Sequence, residues 1–232
     1  STVVTAASIL ETIAARDRVQ AQELAKDLDL NRSTVHRMLH TLQLLGYVAR
    51  HPDGTYRLTF HLFEVGNSVL HAHHLVDPAR RNLLQLANDT GYTVNHAVLF
   101  EDETLYIDKA TPPAYLQIDR SIGESEPLHC TSLGKTLIAF QPDEERERLV
   151  SSIELTPFTE NTITDRTRLA EEVERVRAQG YAVDNQELAM DLRCVAVPVL
   201  AADGTLISAV SISGAADRLV PARVPELVSQ LT

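Results

Sequence analysis

The chain has 232 residues, 44% of them hydrophobic, and a formal net charge of −11, which is enough for one large domain or two modest ones with buried cores. The negative balance excludes a protein that coats nucleic acid by charge alone. Two cysteines, Cys130 and Cys194, are too few and too far apart for a disulfide framework or a paired-cysteine zinc site, and no run approaches the roughly 18 apolar residues of a membrane-spanning helix. A reducing cytoplasm is the expected compartment.

The acidity is uneven: residues 1–70 hold seven Lys/Arg and seven Asp/Glu, so the excess lies in the remainder. In this neutral head, Val4, Ile9, Leu10, Ile13 and Ala14 predict an amphipathic first helix. Residues 20–57 then predict a helix, a tight turn, a second helix and a β-hairpin, the outline of a winged helix-turn-helix. The second helix starts at Asn31, a favourable N-cap, and lines up Val35, Leu39, Leu42 and Leu45 as a core-facing stripe. Arg32, Ser33, Thr34, His36 and Arg37 occupy its other face near the N-terminus, where backbone N–H groups already favour phosphate oxygens. The runs 47–50 and 55–58 flank an Asp-Gly turn, which makes Arg50 and Arg57 wing residues suited to phosphate contacts. These residues point to double-stranded operator DNA as a partner, contacted locally by heads acting in pairs.

Domain boundaries are expected at 1–60 for the winged helix-turn-helix, 61–78 for a linker helix and 79–232 for the second domain. Pro78 suits the first turn of a new helix and disrupts the interior of a continuous one, so a break at Val76-Asp77-Pro78 marks a transmission element. After Gly91 the period changes to strands, 93–100 and 104–108, with another at Tyr115-Leu116-Gln117-Ile118. Helices follow over 132–140, 143–150 and 165–178, then strands over 181–187, 193–200 and 205–213 and a closing helix near 222–231. Strands grouped around an antiparallel core with helices beside them give an α+β domain.

The late strands carry the second candidate site. Ser211 and Ser213 share a strand face, and neighbouring strands bring Asp184 and Cys194 onto the same concave surface. Opposite them, Cys130-Thr131-Ser132-Leu133-Gly134-Lys135 begins a helix whose free N–H groups favour an anion, with Gly134 allowing close approach. A small carboxylate with a hydroxyl or oxo group fits such a site.

The combination resembles the IclR family of bacterial transcriptional regulators. Ser33-Thr34-Val35-His36-Arg37-Met38-Leu39 sits in the winged helix-turn-helix, the stretch from Pro127 to Lys135 follows the linker, and Gly180, Asp184, Glu187 and Cys194 fall at the family spacing Gly-x3-Asp-x2-Glu-x6-Cys. The resemblance implies a GAF-like second domain that binds an effector and contributes to a homodimer or tetramer, with no enzymatic activity and no membrane association. It also implies effector contacts at Ser132, Leu133, Gly134, Asp184, Leu192, Cys194, Ser211 and Ser213. Repression of a catabolic operon is the expected role. Asp191 stands where the family often has Gly, so the effector's identity does not transfer from relatives.

Two other readings compete. An enzyme would use Cys194 as nucleophile with His129 or His96 as base, which demands groups within about 3 Å of each other. A metal- or redox-sensing regulator would use Cys194 and Asp184 of the same pocket, with Cys130 and His129, or the cluster His71, His73 and His74.

Overall fold

The computed structural model describes residues 1–72, 77–112 and 121–232, and the chain divides into two compact units, Ser1–Leu75 and Val76–Thr232. In the first, α1 (Thr2–Ala14) and β1 (Val19–Gln20) precede α2 (Ala21–Asp27) and α3 (Arg32–Leu44), followed by β2 (Val48–Arg50), β3 (Thr55–Leu58) and α4 (Phe60–Ala72). Asn31 caps α3 as its sequence position requires, its side-chain oxygen accepting from the Thr34 N–H at 2.8 Å. The core joins Ile9 and Ile13 of α1 to Leu24 of α2 and to Val35, Met38, Leu39 and Leu42 of α3. Met38 completes the buried stripe where Leu45 was expected. Leu45 caps the helix end and is 57% exposed, because the last turn of α3 runs past the edge of this small core. Strand β1, too short to signal itself by periodicity, pairs with β3 to make a three-stranded wing in the order β1-β3-β2.

The second unit runs α5 (Asp77–Thr90), β4 (Thr93–Phe100), β5 (Glu103–Ala110), β6 (Ser125–Pro127), α6 (Ser132–Ala139), α7 (Asp143–Ser152), α8 (Arg166–Gln179), β7 (Ala182–Asn185), β8 (Leu192–Leu200), β9 (Leu206–Ala215), a 3-10 turn (Pro221–Arg223) and α9 (Val224–Leu231). Its strands form one antiparallel sheet in the order β6-β5-β4-β9-β8-β7. The expected α+β architecture is therefore present, with three layers: α5 and α9 pack on Val94, Val195 and Ile212 of one face, while α6, α7 and α8 cover the other. The expected strand at 115–118 lies outside the described residues.

Small side chains decide how closely the second layer approaches. Ala97, Ala182, Ala196 and Ala209 floor the face beneath α6, all fully buried, and every residue of α6 is buried with them. Gly134 serves a related purpose: a Cβ there would stand 2.3 Å from the Leu128 carbonyl oxygen, so the helix can lie against the incoming chain only without one. A bulge in β5 also matters. The pairing passes from His96↔Asp108 directly to Ala97↔Tyr106, leaving Ile107 as an extra residue. Tyr106 thus faces the α6 layer, whereas Asp108, two residues on, meets the Arg80 guanidinium of α5.

Candidate functional site

In the first unit, Arg32, Ser33, His36 and Arg37 lie exposed at the N-terminal half of α3 and Thr34 is half-buried. The apolar positions Val35, Met38 and Leu39 hold the opposite face in the core, so the polar set projects outward as one surface. The Ser33 hydroxyl donates to Asn31 at 2.7 Å, tying that side chain to the cap. The wing turn is fixed by Asp53, which accepts from the Thr55 N–H at 2.9 Å and from its hydroxyl at 2.6 Å, and these bonds hold the Asp53 carboxyl below its ordinary pKa. Arg50 and Arg57 are both exposed but do not share a face: Arg50 pairs with Tyr56, and Arg57 pairs with Ala49.

In the second unit the strand register creates a polar row. Asp184 of β7 pairs with Cys194 of β8, Cys194 with Ser213 of β9, and Ser213 with Thr93 of β4; one step along, Ala196, Ser211 and Asn95 form the next row. Cross-strand partners share a face, so these side chains line one side of a cavity of about 290 Å³. Thr131, Ser132 and Leu133, at the start of α6, line another. Thr131 is the N-cap, its hydroxyl accepting from the Gly134 N–H at 2.9 Å. The Ser132 and Leu133 N–H groups precede the first intrahelical bond and have no acceptor within the helix. Glu126 and Tyr106 close a third side, with the Tyr106 hydroxyl donating to Glu126 at 2.5 Å.

Of the expected effector contacts, Ser132, Leu133, Asp184, Leu192, Cys194, Ser211 and Ser213 line this cavity, and Gly134 does not. Gly134 is there for the approach to Leu128 rather than for a ligand. Sequence reasoning missed Thr93, Asn95, Tyr106, Glu126 and Leu188. The alternation of Thr93 and Asn95 on β4 was a usable signal once β4 was known to neighbour β9; Tyr106 had none, since the bulge reverses its face. Asp191, marked by sequence as unusual, stands on the cavity wall.

The wall chemistry is set by burial. Asp184 is 1% exposed, and desolvation pushes its carboxyl up to about 7. One oxygen accepts from the Glu187 N–H at 2.7 Å and the other has no hydrogen-bond partner. Asn95 donates to Ser213 at 3.0 Å and to Ser211 at 3.5 Å, and the Ser213 hydroxyl hydrogen-bonds the Cys194 sulfur. Burial also pushes the Cys194 thiol well up. Behind the wall, Lys135 is 1% exposed; its ammonium donates to the Val183 carbonyl at 2.6 Å and to Glu187 at 2.5 Å and lies 3.4 Å from Glu172. This buried cation fixes the 183–187 segment on which Asp184 sits.

Neither proposed catalytic base serves Cys194. His96 faces away from the cavity and meets the Ser208 hydroxyl at 2.8 Å, and the His129 ring bonds the Thr156 carbonyl at 3.0 Å. Among the described residues, no group of three or more His, Cys, Asp or Glu side chains is placed to hold a metal ion. The His71, His73 and His74 cluster lies outside the part of the structure whose side chains are described.

Comparison with known proteins decides the family. Residues 67–232 match the model for the bacterial transcriptional regulator IclR C-terminal region, and residues 2–52 match the IclR helix-turn-helix domain. The chain belongs to the IclR family. Similar IclR-family proteins include the HTH-type transcriptional regulator KdgR of Escherichia coli K12, 34% identical over all of this chain and 88% of that one. The DNA-binding transcriptional repressor YiaJ of the same organism is 37% identical over 82% of this chain and 69% of its own. A crystal structure of an IclR homologue from Microbacterium hydrocarbonoxydans, complexed with 4-hydroxybenzoate, superposes with a TM-score of 0.87 at 23% identity, covering 100% of this chain and 96% of that one. IclR-family membership makes the chain a DNA-binding transcriptional regulator rather than an enzyme, with a helix-turn-helix head and a C-terminal effector domain. No helix among the described residues is long and apolar enough to cross a membrane.

Proposed function

We propose that the chain is a ligand-responsive repressor of a catabolic operon: paired winged heads hold operator DNA, and a small organic acid seated in the cavity of the second unit changes that grip. The observation that carries the reading is the cavity itself, with unbonded helix-start N–H groups of Ser132 and Leu133 on one side and the Asp184–Cys194–Ser213–Thr93 row on the other. The acid group meets the helix start, and hydroxyl or oxo groups meet the polar row. The named repressor among the relatives and the aromatic acid held by the Microbacterium homologue support repression and acid sensing. In this reading Arg32, Ser33, Thr34, His36 and Arg37 enter the major groove and Arg50 and Arg57 touch flanking phosphates.

Pairing of the heads is part of the same proposal. Helix α4 leaves Phe60 87% and Phe63 67% exposed, a surface that a second copy would cover, and residues 61–78 then link each head to its effector domain. Coupling is a shift in the population of two assembly arrangements.

Fluorescence anisotropy with the chain's own upstream region tests the DNA side. Specific binding should exceed binding to random DNA by at least about 10³-fold, and Arg37→Ala should weaken it across operator variants with a shallower salt dependence. Equal affinity for random DNA would overturn the reading.

A further inference from the structure

We infer that Arg18 is a phosphate-binding residue of the wing: its guanidinium stands beside Asp53 at the wing turn and exchanges that carboxylate for a phosphate of the DNA backbone, next to Arg57. The inference rests on the DNA-reader proposal above and adds a contact to it. Its starting point is the charge of the turn itself. His51-Pro52-Asp53-Gly54 carries one carboxylate and neither Lys nor Arg. Asp53 is committed to the turn through the Thr55 N–H and hydroxyl, and those bonds favour its ionised form. A duplex approaching this tip meets a fixed negative charge unless a cation reaches it from elsewhere in the chain.

The end of α1 supplies that cation. Asp17 takes a left-handed backbone conformation with φ 63°, and the arginines on either side of it find different partners. Arg16 turns to α2 and is held by Asp27 at 2.6 Å. Arg18 leads into β1 and reaches the wing turn, its Nη1 3.8 Å from Asp53, close enough for attraction and too far for a hydrogen bond. Its side chain is 43% exposed, so its donors are open to an incoming anion. The pairing of β1 also gives it a neighbour. Val19 pairs with Tyr56 and both are buried, so one further step in the same register sets Arg18 opposite Arg57 on the outer face. Like charges opposite each other repel, and a phosphate between them relieves the repulsion. Arg50 lies in the row of buried Tyr56 and takes no part in this pair.

Fluorescence anisotropy with the full chain tests this on the chain's own upstream region and on a random-sequence duplex, across about 50 to 200 mM NaCl. Arg18→Gln should weaken binding to both duplexes by a similar factor, about five-fold at the lowest salt, and lower the slope of log K against log salt by about 0.9 per head bound. Arg18→Lys keeps the charge and should keep the slope. Asp53→Asn retains a turn-forming Asn-Gly pair and should tighten binding to both duplexes about three-fold. An Arg18→Gln protein with a lowered thermal transition and an unchanged slope overturns the inference, because the role of Arg18 is then structural. Unchanged affinity and slope in Arg18→Gln, with both reduced in Arg57→Gln, also overturns it and leaves the DNA reading standing. Weaker binding by Asp53→Asn overturns the exchange of carboxylate for phosphate. No binding of either duplex by the wild-type chain overturns the DNA reading and the inference together.

Discussion

The two units keep their polar chemistry in opposite places. All eighteen buried polar or charged side chains among the described residues, Thr93 to Ser211, belong to the second unit, while the first has an apolar core and carries Arg32, His36 and Arg37 on its surface. On the proposed reading, the DNA-contacting side chains of the first unit stand outside its core and can be exchanged without loss of fold. A sensing cavity is built from groups that also hold its unit together, so ligand recognition and stability there share side chains.

The largest test of that contrast is Lys135→Met, which leaves Glu187 buried without its cation and Glu172 with Arg175 alone. Unfolding of the second unit should lose about 3–5 kcal/mol, read by calorimetry as a lowered transition while that of the first unit stays in place. A loss below about 1 kcal/mol would mean that the glutamates relax to water and that the buried network is dispensable.

Asp184→Asn sharpens the comparison in the opposite direction. Folding raises the Asp184 pKa from 3.8 to about 7, so the folded state favours the protonated form. That contribution is whole below about pH 4 and is lost as pH rises through 7. The amide substitution should therefore stabilise the second unit by roughly 2–3 kcal/mol at pH 8 and by little at pH 4. Denaturant titrations at the two pH values check this, and a pH-independent difference would show that Asp184 is well solvated.

In the first unit the effects should be smaller and separable. Asn31→Ala removes the cap of α3 and should cost about 1 kcal/mol together with weaker DNA binding, since it frees the start of the reading helix. Arg37→Ala should change stability by less than about 0.5 kcal/mol while weakening DNA binding. A destabilisation by Arg37→Ala comparable to that by Asn31→Ala would erase the distinction between reading and holding.

Legibility in the sequence followed the same division. The head was readable because its helices are amphipathic and its caps and turns are local: Asn31, Asp53 and Gly54 each announce a backbone feature within a few residues. Met38 in place of Leu45 was the misreading, a matter of where a small core ends. In the second unit the strands were visible, and Asp184, Cys194, Ser211 and Ser213 could be joined once neighbouring strands were assumed. Glu126 and Tyr106 could not, because β6 is three residues long and the bulge breaks the period of two. Gly134 was placed in the site by its company at the helix start, although its reason is a backbone contact with Leu128 that no local pattern reveals.

Strand β5 holds one residue more than its partner needs, at Ile107. The extra residue is what lets Tyr106 and Asp108, two positions apart, face opposite sides of the sheet. Another apolar side chain at 107 leaves Tyr106 on the cavity side and Asp108 with Arg80. Deleting 107 would make Tyr106 and Asp108 consecutive residues, which strict alternation still places on opposite faces, so their partners Ala97 and His96 are kept. For chains descending from this one, position 107 is open to drift in kind and in length, and what must be kept is the opposition of Tyr106 and Asp108.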